Sequence, residues 1–294
     1  MSNLRRFLFR VSQPHLIRKV GEHFLAFTVA SLLFSGTACG QAQSGPQVPP
    51  ETQVKSGSSA MEALMRARKS VEKFFEQSAN VVCAESITQT LLKNDGKPAY
   101  REESKYDYQL EANSASGSLK LKESRDARKL PFRDPARTLL VTNGFASLLL
   151  IVHPRYETSY QFEPAGEETV DGVAFEEIHF KPIPGGSSPA ALQLRGKSYP
   201  LPLSGMLWID KQTGAITRLT AAVDASLTDL GLHGMRSDIH YTLVQFHDPE
   251  EAYWMPVSAT IDVETALQHW RNVHRFTGYR RFRATIRIEM GKVQ

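Results

Sequence analysis

The sequence predicts an α+β fold: one large curved antiparallel sheet of about ten strands, a half-barrel, with an N-terminal helix and a helical insertion closing over it. Three observations predict it. Residues 60–77 carry apolar side chains at helical spacing. From residue 80 the pattern alternates with period 2 over many short runs. Residues 136–152 interrupt that alternation with a stretch that is apolar on nearly every face. The chain has 294 residues, 41% hydrophobic and 22% charged, which is globular composition and excludes collagen, coiled coil and wholesale disorder. No apolar run approaches the ~20 residues that a membrane-spanning helix needs.

The helix at 60–77 has Ser58 or Ser59 as its cap and Glu62 in its first turn, where the helix dipole favours an anion. Met61, Leu64, Met65, Val71, Phe74 and Phe75 form its apolar stripe. Val81–Leu92 and Tyr100–Leu110 flank Asn94-Asp95-Gly96-Lys97, a hairpin signal, because Asp-Gly tolerates the positive φ of a type I′ turn. A short strand at Leu119–Lys122 follows. Further strands are expected at Tyr156–Glu163, Val173–Lys181, Leu207–Asp210, Ala215–Thr220, Ile239–Phe246, Val257–Thr265 and Tyr279–Met290. Residues 182–205, rich in proline and glycine, read as a long loop. In the insertion, Asp134-Pro135 is a helix start and Asn143-Gly144 divides two short helices. A helix greasy all round is either core or the wall of an apolar cavity.

The formal net charge of +4 and pI near 9 invite a nucleic-acid reading, but the excess lies in residues 1–38. From Cys39 onward acidic and basic residues balance, so no nucleic-acid partner is expected. Residues 1–38 read as a secretory signal: a basic region to His23, then the apolar run Phe24–Phe34, too short to span a bilayer. Ser35-Gly36-Thr37-Ala38 precede Cys39 in a small-small-Cys order similar to a bacterial lipobox, with Gly36 where leucine is usual. Three outcomes stand: a lipoprotein acylated on Cys39 and held at the membrane, a soluble periplasmic protein cut after Ala38, Gly40 or Ala42, or an uncleaved anchor. The predicted organisation is a signal peptide at 1–38, a flexible linker at 39–59 and a single binding domain at 60–294. Cys83, alone in that domain, reads as a small buried hydrophobe.

The chain lacks a G-x-S-x-G, an H-E-x-x-H and a Walker loop. His269 and His274 are five apart, and His233, His240 and His247 seven apart, spacings that flip face along a strand. Glu102-Glu103 and Glu176-Glu177 are adjacent pairs whose members point to opposite faces. No catalytic residue, cofactor or metal site is assigned on these patterns. From Arg271 to the C-terminus there are six arginines and one lysine against one glutamate. Two roles stand for this stretch: a contact surface for an anionic group or an envelope protein partner, or a solvated outer strand face.

Gly205–Leu219 reads GMLWIDKQTGAITRL. It resembles the Gly-x-Leu-Trp-Ile-Asp…Gly-x-Ile-x-Arg-Leu hairpin of periplasmic lipoprotein carriers of the LolA/LolB type and of the related regulator RseB. Val170-Asp171-Gly172 leading to Ile178–Pro182, and Tyr253-Trp254-Met255-Pro256-Val257, are weaker likenesses, so the resemblance covers about residues 170–260. It implies a half-barrel enclosing an apolar cavity for acyl chains, with Phe145, Leu148, Leu149 and Ile151 on the lid and Trp208 on the floor or in the core. The leading function is a non-enzymatic envelope protein binding lipid acyl chains or a lipidated protein. The alternatives are a periplasmic interaction or sensor domain for peptide segments, and an enzyme with dispersed catalytic residues.

Overall fold

The computed structural model describes residues 7–11, 50–77, 80–113, 120–129, 141–142, 144–194, 197–223, 227–247 and 250–281. Cys39, the apolar leader run, Asp134-Pro135 and the end of the last predicted strand from Phe282 lie outside them. In chain order the elements are β1 (Phe7–Val11), α1 (Pro50–Gln77), β2 (Val81–Leu92), β3 (Pro98–Asn113), β4 (Lys120–Lys129) and β5 (Val141–Thr142). Then come β6 (Tyr160–Val170), β7 (Val173–Pro182), β8 (Ala190–Leu194), β9 (Lys197–Pro200), β10 (Leu203–Asp210) and β11 (Ile216–Val223). The last three are β12 (Leu232–His247), β13 (Glu250–Thr265) and β14 (His269–Arg281).

Ten strands form one antiparallel sheet in the order β4-β3-β2-β14-β13-β12-β11-β10-β7-β6. The sheet is open, and it curls. Five strand spacings separate β4 from β12, about 24 Å if flat. Yet Glu123 on β4 accepts from the Gly144 amide at 2.7 Å, and Tyr241 on β12 donates to the next residue's carbonyl, Phe145 O, at 2.8 Å. The expected α+β architecture is therefore the observed one.

The inner face holds α1, which lays Ala60, Ala63, Leu64, Ala67, Val71, Phe74 and Phe75 on it. Met61 and Met65, read as part of that stripe, are about half exposed instead. The helix begins at Pro50, so residues 50–59, read as tether, are helical; proline suits a first helical turn, where its missing N–H has no partner to lose. The hairpin turn between β10 and β11 sits under α1. Gly214 there has φ +71°, and a Cβ would stand 2.4 Å from Arg66 Cβ. At Gly205 a Cβ would meet Thr220 O at 1.8 Å, so the glycine that opens the GMLWID motif is required by backbone approach.

Three expectations are corrected. The insertion contains no α-helix among the described residues. After β5 it makes a 3-10 turn at Ser147–Ile151 and another at Pro154–Ser159, because two side chains seize its backbone early: Glu123 caps Gly144 and Ser147, and His153 accepts from Arg155 N. Residues 182–205 are not a loop. They hold β8, β9 and the start of β10, and β8 and β9 belong to a second sheet ordered β5-β1-β8-β9. Prolines flanking the short run Ala190–Leu194 hid it, although proline is compatible with a strand end such as Pro200. The final strand starts at His269, ten residues before the expected Tyr279.

Candidate functional site

A cleft of about 180 Å³ with mixed polar and apolar walls opens between the C-terminal half of α1 and the ends of β12 and β13. Val71 and Phe74 of α1, Leu149 of the 3-10 turn, Ile216 of β11, Leu243 of β12 and Trp254 of β13 line it, with Lys73 and Ser70 also contributing. Leu243, opposite Trp254 in the ladder, is 47% exposed. Tyr253 stacks edge-on against Phe74 with ring centroids 5.8 Å apart, which fixes the helix on the strand. Arg281 lies over both Tyr253 and Phe246 and pairs with Glu251, so one arginine of the basic stretch is used inside the fold. Arg271 is likewise paired, with Asp262 at 2.9 Å.

The residues named from the sequence fall in different places. Leu149 lines the cleft, whereas Phe145, Leu148 and Ile151 are buried at 0–1% exposure and are not among its lining residues. Trp208 points away from the face that carries Leu207 and Ile209. Its indole N–H donates to Glu168 and Glu177, both at 2.9 Å, and the Arg218 guanidinium lies 4.4 Å above its ring. Asp210 is a turn cap, accepting from the Gln212 and Thr213 amides at 2.8 Å. The adjacent glutamates do split between faces. Glu176 is buried, bonded to Ser59 and Lys211, while Glu177 meets Trp208.

Sequence reasoning missed a buried polar relay that fastens the insertion to the sheet. Glu85 on β2 is held by a two-point ion pair with Arg125 of β4, and by His274 Nδ1 of β14 at 2.8 Å. His274 Nε2 meets Thr142 Oγ1 at 2.7 Å, and Asn272 donates to that oxygen at 3.4 Å. Burial works against the Glu85 carboxylate, but Arg125 and His274 outweigh it and hold it below the usual range. An ionised carboxylate only accepts, so Nδ1 of His274 carries the proton and Nε2 accepts from the Thr142 hydroxyl. Burial pushes the His274 imidazole down, with Glu85 only partly offsetting it. The order hydroxyl–imidazole–carboxylate is the one general-base activation uses. Thr142 is 2% exposed, however, and does not line the cleft. No signal in one sequence joins residues 85, 125, 142 and 274, because all four come from different elements.

Cys83 is buried on the inner face of β2, and burial pushes its thiol up to about 12. Among the described residues, no group of three or more His, Cys, Asp or Glu is placed to hold a metal ion, and no helix is long and apolar enough to cross a membrane.

No protein-family profile and no curated protein sequence matches the chain. Solved structures do. The chain is similar to a DUF1329 family protein from Desulfovibrio piger, with 13% identity and TM-score 0.40, over 79% of this chain and 95% of that one. It is similar to a LolA superfamily protein from Nitrosomonas europaea, with 13% identity and TM-score 0.34, over 77% and 95%. A more distant likeness is to the MucA/MucB complex of Pseudomonas aeruginosa, with 9% identity and TM-score 0.20, over 74% and 94%.

Proposed function

We propose that this protein is a non-enzymatic binding module of the bacterial cell envelope, exported by residues 1–38, whose cleft takes the end of an acyl chain of a lipid or lipidated protein. The observation that supports the reading is the cleft itself: Val71 and Phe74 of α1, Leu149, Leu243 and Trp254 line it beside Ser70 and Lys73, and Leu243 is half exposed there. The resemblance of Gly205–Leu219 to lipoprotein carriers points the same way. Size sets the scale of what enters. About 180 Å³ is the share of roughly six water molecules. Micromolar affinity, about 8 kcal/mol, requires burying roughly ten methylenes at ~0.8 kcal/mol each. A whole long chain therefore requires the cleft to widen, and a chain end does not.

The hydrolytic alternative has one observation in its favour, the Thr142–His274–Glu85 order. Burial of Thr142 Oγ1 keeps substrate from it, and the relay's work is to clamp the insertion. Thr142→Val separates the two readings, since it destabilises a clamp and leaves ligand binding in place.

Two measurements test the proposal. Labelled fatty acid incorporated into wild type and not into Cys39→Ser assigns the lipoprotein form; an unlabelled product beginning after Ala38, Gly40 or Ala42 assigns the soluble periplasmic one. For the cleft, an apolar fluorescent probe binds the folded protein and is displaced by long-chain fatty acid. Leu149→Asp abolishes that binding, since it places a charge in the apolar floor, while Arg283→Ser leaves it intact. Absence of probe binding to wild type, with Leu149→Asp simply unfolding, refutes the acyl-chain reading and favours the peptide-binding one.

A further inference from the structure

The second sheet places β1, residues 7–11, at its centre, inside the segment that the export reading removes. β1 pairs antiparallel with β8 over five residues, from Phe7 opposite Leu194 to Val11 opposite Ala190. On its other side it pairs parallel with β5, Leu8 opposite Val141 and Phe9 opposite Thr142. Removing it leaves a gap one strand wide, with β5 and β8 about 10 Å apart. The backbone groups of both strands that faced β1 then lack partners, and a buried unpaired amide or carbonyl costs free energy comparable to a lost hydrogen bond.

The edge so uncovered carries none of the usual protection. Sheet edges in monomeric proteins are blunted by lysine, proline, inward charges or bulges. β8 reads Ala-Ala-Leu-Gln-Leu, with no charge and no proline. With β1 in place, Ala190, Ala191, Leu192 and Leu194 are all buried, which is the signature of a strand covered on both faces and not of an edge. Its other side is closed by β9, so the gap is the one free side of β8.

We propose that in the processed protein this gap is a strand-addition site, filled by an extended, alternating apolar segment of a partner polypeptide lying antiparallel to β8. The chain's own Phe7–Val11 shows the register such a segment adopts. Main-chain hydrogen bonds to β8 and β5 supply affinity, and alternate side chains supply selectivity. The proposal rests on removal of residues 1–38 and not on the acyl-chain cleft.

The test uses the protein as purified from the envelope of a producing bacterium. Its intact mass first reports whether residues 7–11 are present. If they are retained, the export reading fails and the gap is filled internally, which overturns the proposal. With residues 7–11 absent, a fluorescein-labelled peptide of residues 6–12, RFLFRVS, binds saturably, on the order of micromolar by anisotropy. The same peptide carrying Phe9→Pro binds at least about 10-fold more weakly, because proline removes a ladder donor. Amide exchange across residues 190–194 is fast in the processed protein and slows when the peptide is added. A processed protein that ignores the peptide and already protects those amides has closed the gap by itself. That result overturns the strand-addition site and leaves the export reading standing.

Discussion

Leu148 and Leu149 are neighbours in one 3-10 turn, nearly equally buried at 1% and 4% exposure, and only Leu149 lines the cleft. Truncating each to alanine separates core from binding surface. Leu148→Ala leaves a closed void, and its cost is about 3–5 kcal/mol, the transfer loss plus a cavity term near 24 cal/mol per Å³. Leu149→Ala enlarges a space that is already open, so solvent or neighbouring side chains fill it and the cost is about 2–3 kcal/mol. Its effect on ligand runs the other way. Three carbons leave the floor, and each further methylene that a fatty acid then buries adds ~0.8 kcal/mol, about fourfold in affinity. One to three extra methylenes give tightening of about 4- to 60-fold. Urea denaturation with an unchanged slope measures the first quantity, and displacement of an apolar probe by fatty acids of increasing length measures the second. Equal stability losses for the two variants, together with unchanged fatty-acid affinity in Leu149→Ala, would refute the division into floor and core.

Three other outcomes follow from the geometry. Ser70 is exposed at the cleft's edge, so Ser70→Trp changes stability by no more than about 0.5 kcal/mol while blocking probe binding; probe bound to wild type quenches Trp254 and leaves Trp208, on the other face, unchanged. The imidazole of His274 is held below its ordinary value, so the folded state favours its neutral form: this contribution is complete above pH ~6.5 and is lost as pH falls through the lowered folded value. Glu85, also held low, adds a loss in the same direction below pH ~4.3, and chemical denaturation between pH 7.5 and 5.5 shows a decline that His274→Asn abolishes. Cys83, its thiol pushed up to about 12, reacts slowly with thiol reagents in the native state, and Cys83→Ala folds at a cost of about 1 kcal/mol; fast native labelling contradicts its burial.

What the sequence displayed and what it hid divide along a physical line. Val81–Leu92 was legible to the residue, because alternation and an Asp-Gly turn are local signals; Gly96 takes a positive φ of 78°, but Asp95 does not, so the turn is not the expected type I′. The β10–β11 hairpin was legible for the same reason. The insertion was legible as an oddity, but its conformation was not. The carboxylate that caps Gly144 and Ser147 comes from Glu123, more than twenty residues away, and no local pattern announces it. The relay was invisible as a site, since its parts look ordinary singly: one histidine of nine, one arginine in a charged strand, one threonine before Asn-Gly. Of the residues named for the cavity, Leu149 reached the cleft and Trp208 did not. Apolar character alone does not fix which face of a strand a side chain takes; register does.

That contrast also says which side of the cleft can move. The inner face of β2, β3 and β14 carries a buried polar group, Glu85, Gln89, Ser104, Asn272 and His274, among apolar neighbours such as Val81, Leu110 and Phe276. Hydrogen bonds among them and to Thr142, with Glu123 on the amides of Gly144 and Ser147, are directional and fail after displacements of an ångström. The insertion is therefore pinned up to Ser147, two residues before Leu149, and is not hinged as a lid. On the other side, hydrogen bonds and an ion pair tie Ser59, Arg66 and Arg68 in the earlier turns of α1 to Glu176, Lys211 O and Glu157, whereas its C-terminal turns meet β13 through the apolar contact of Phe74 with Tyr253. If an acyl chain enters as proposed, widening for a longer one has to come from the C-terminal turns of α1 and the ends of β12 and β13, because Leu149 follows the pinned Ser147.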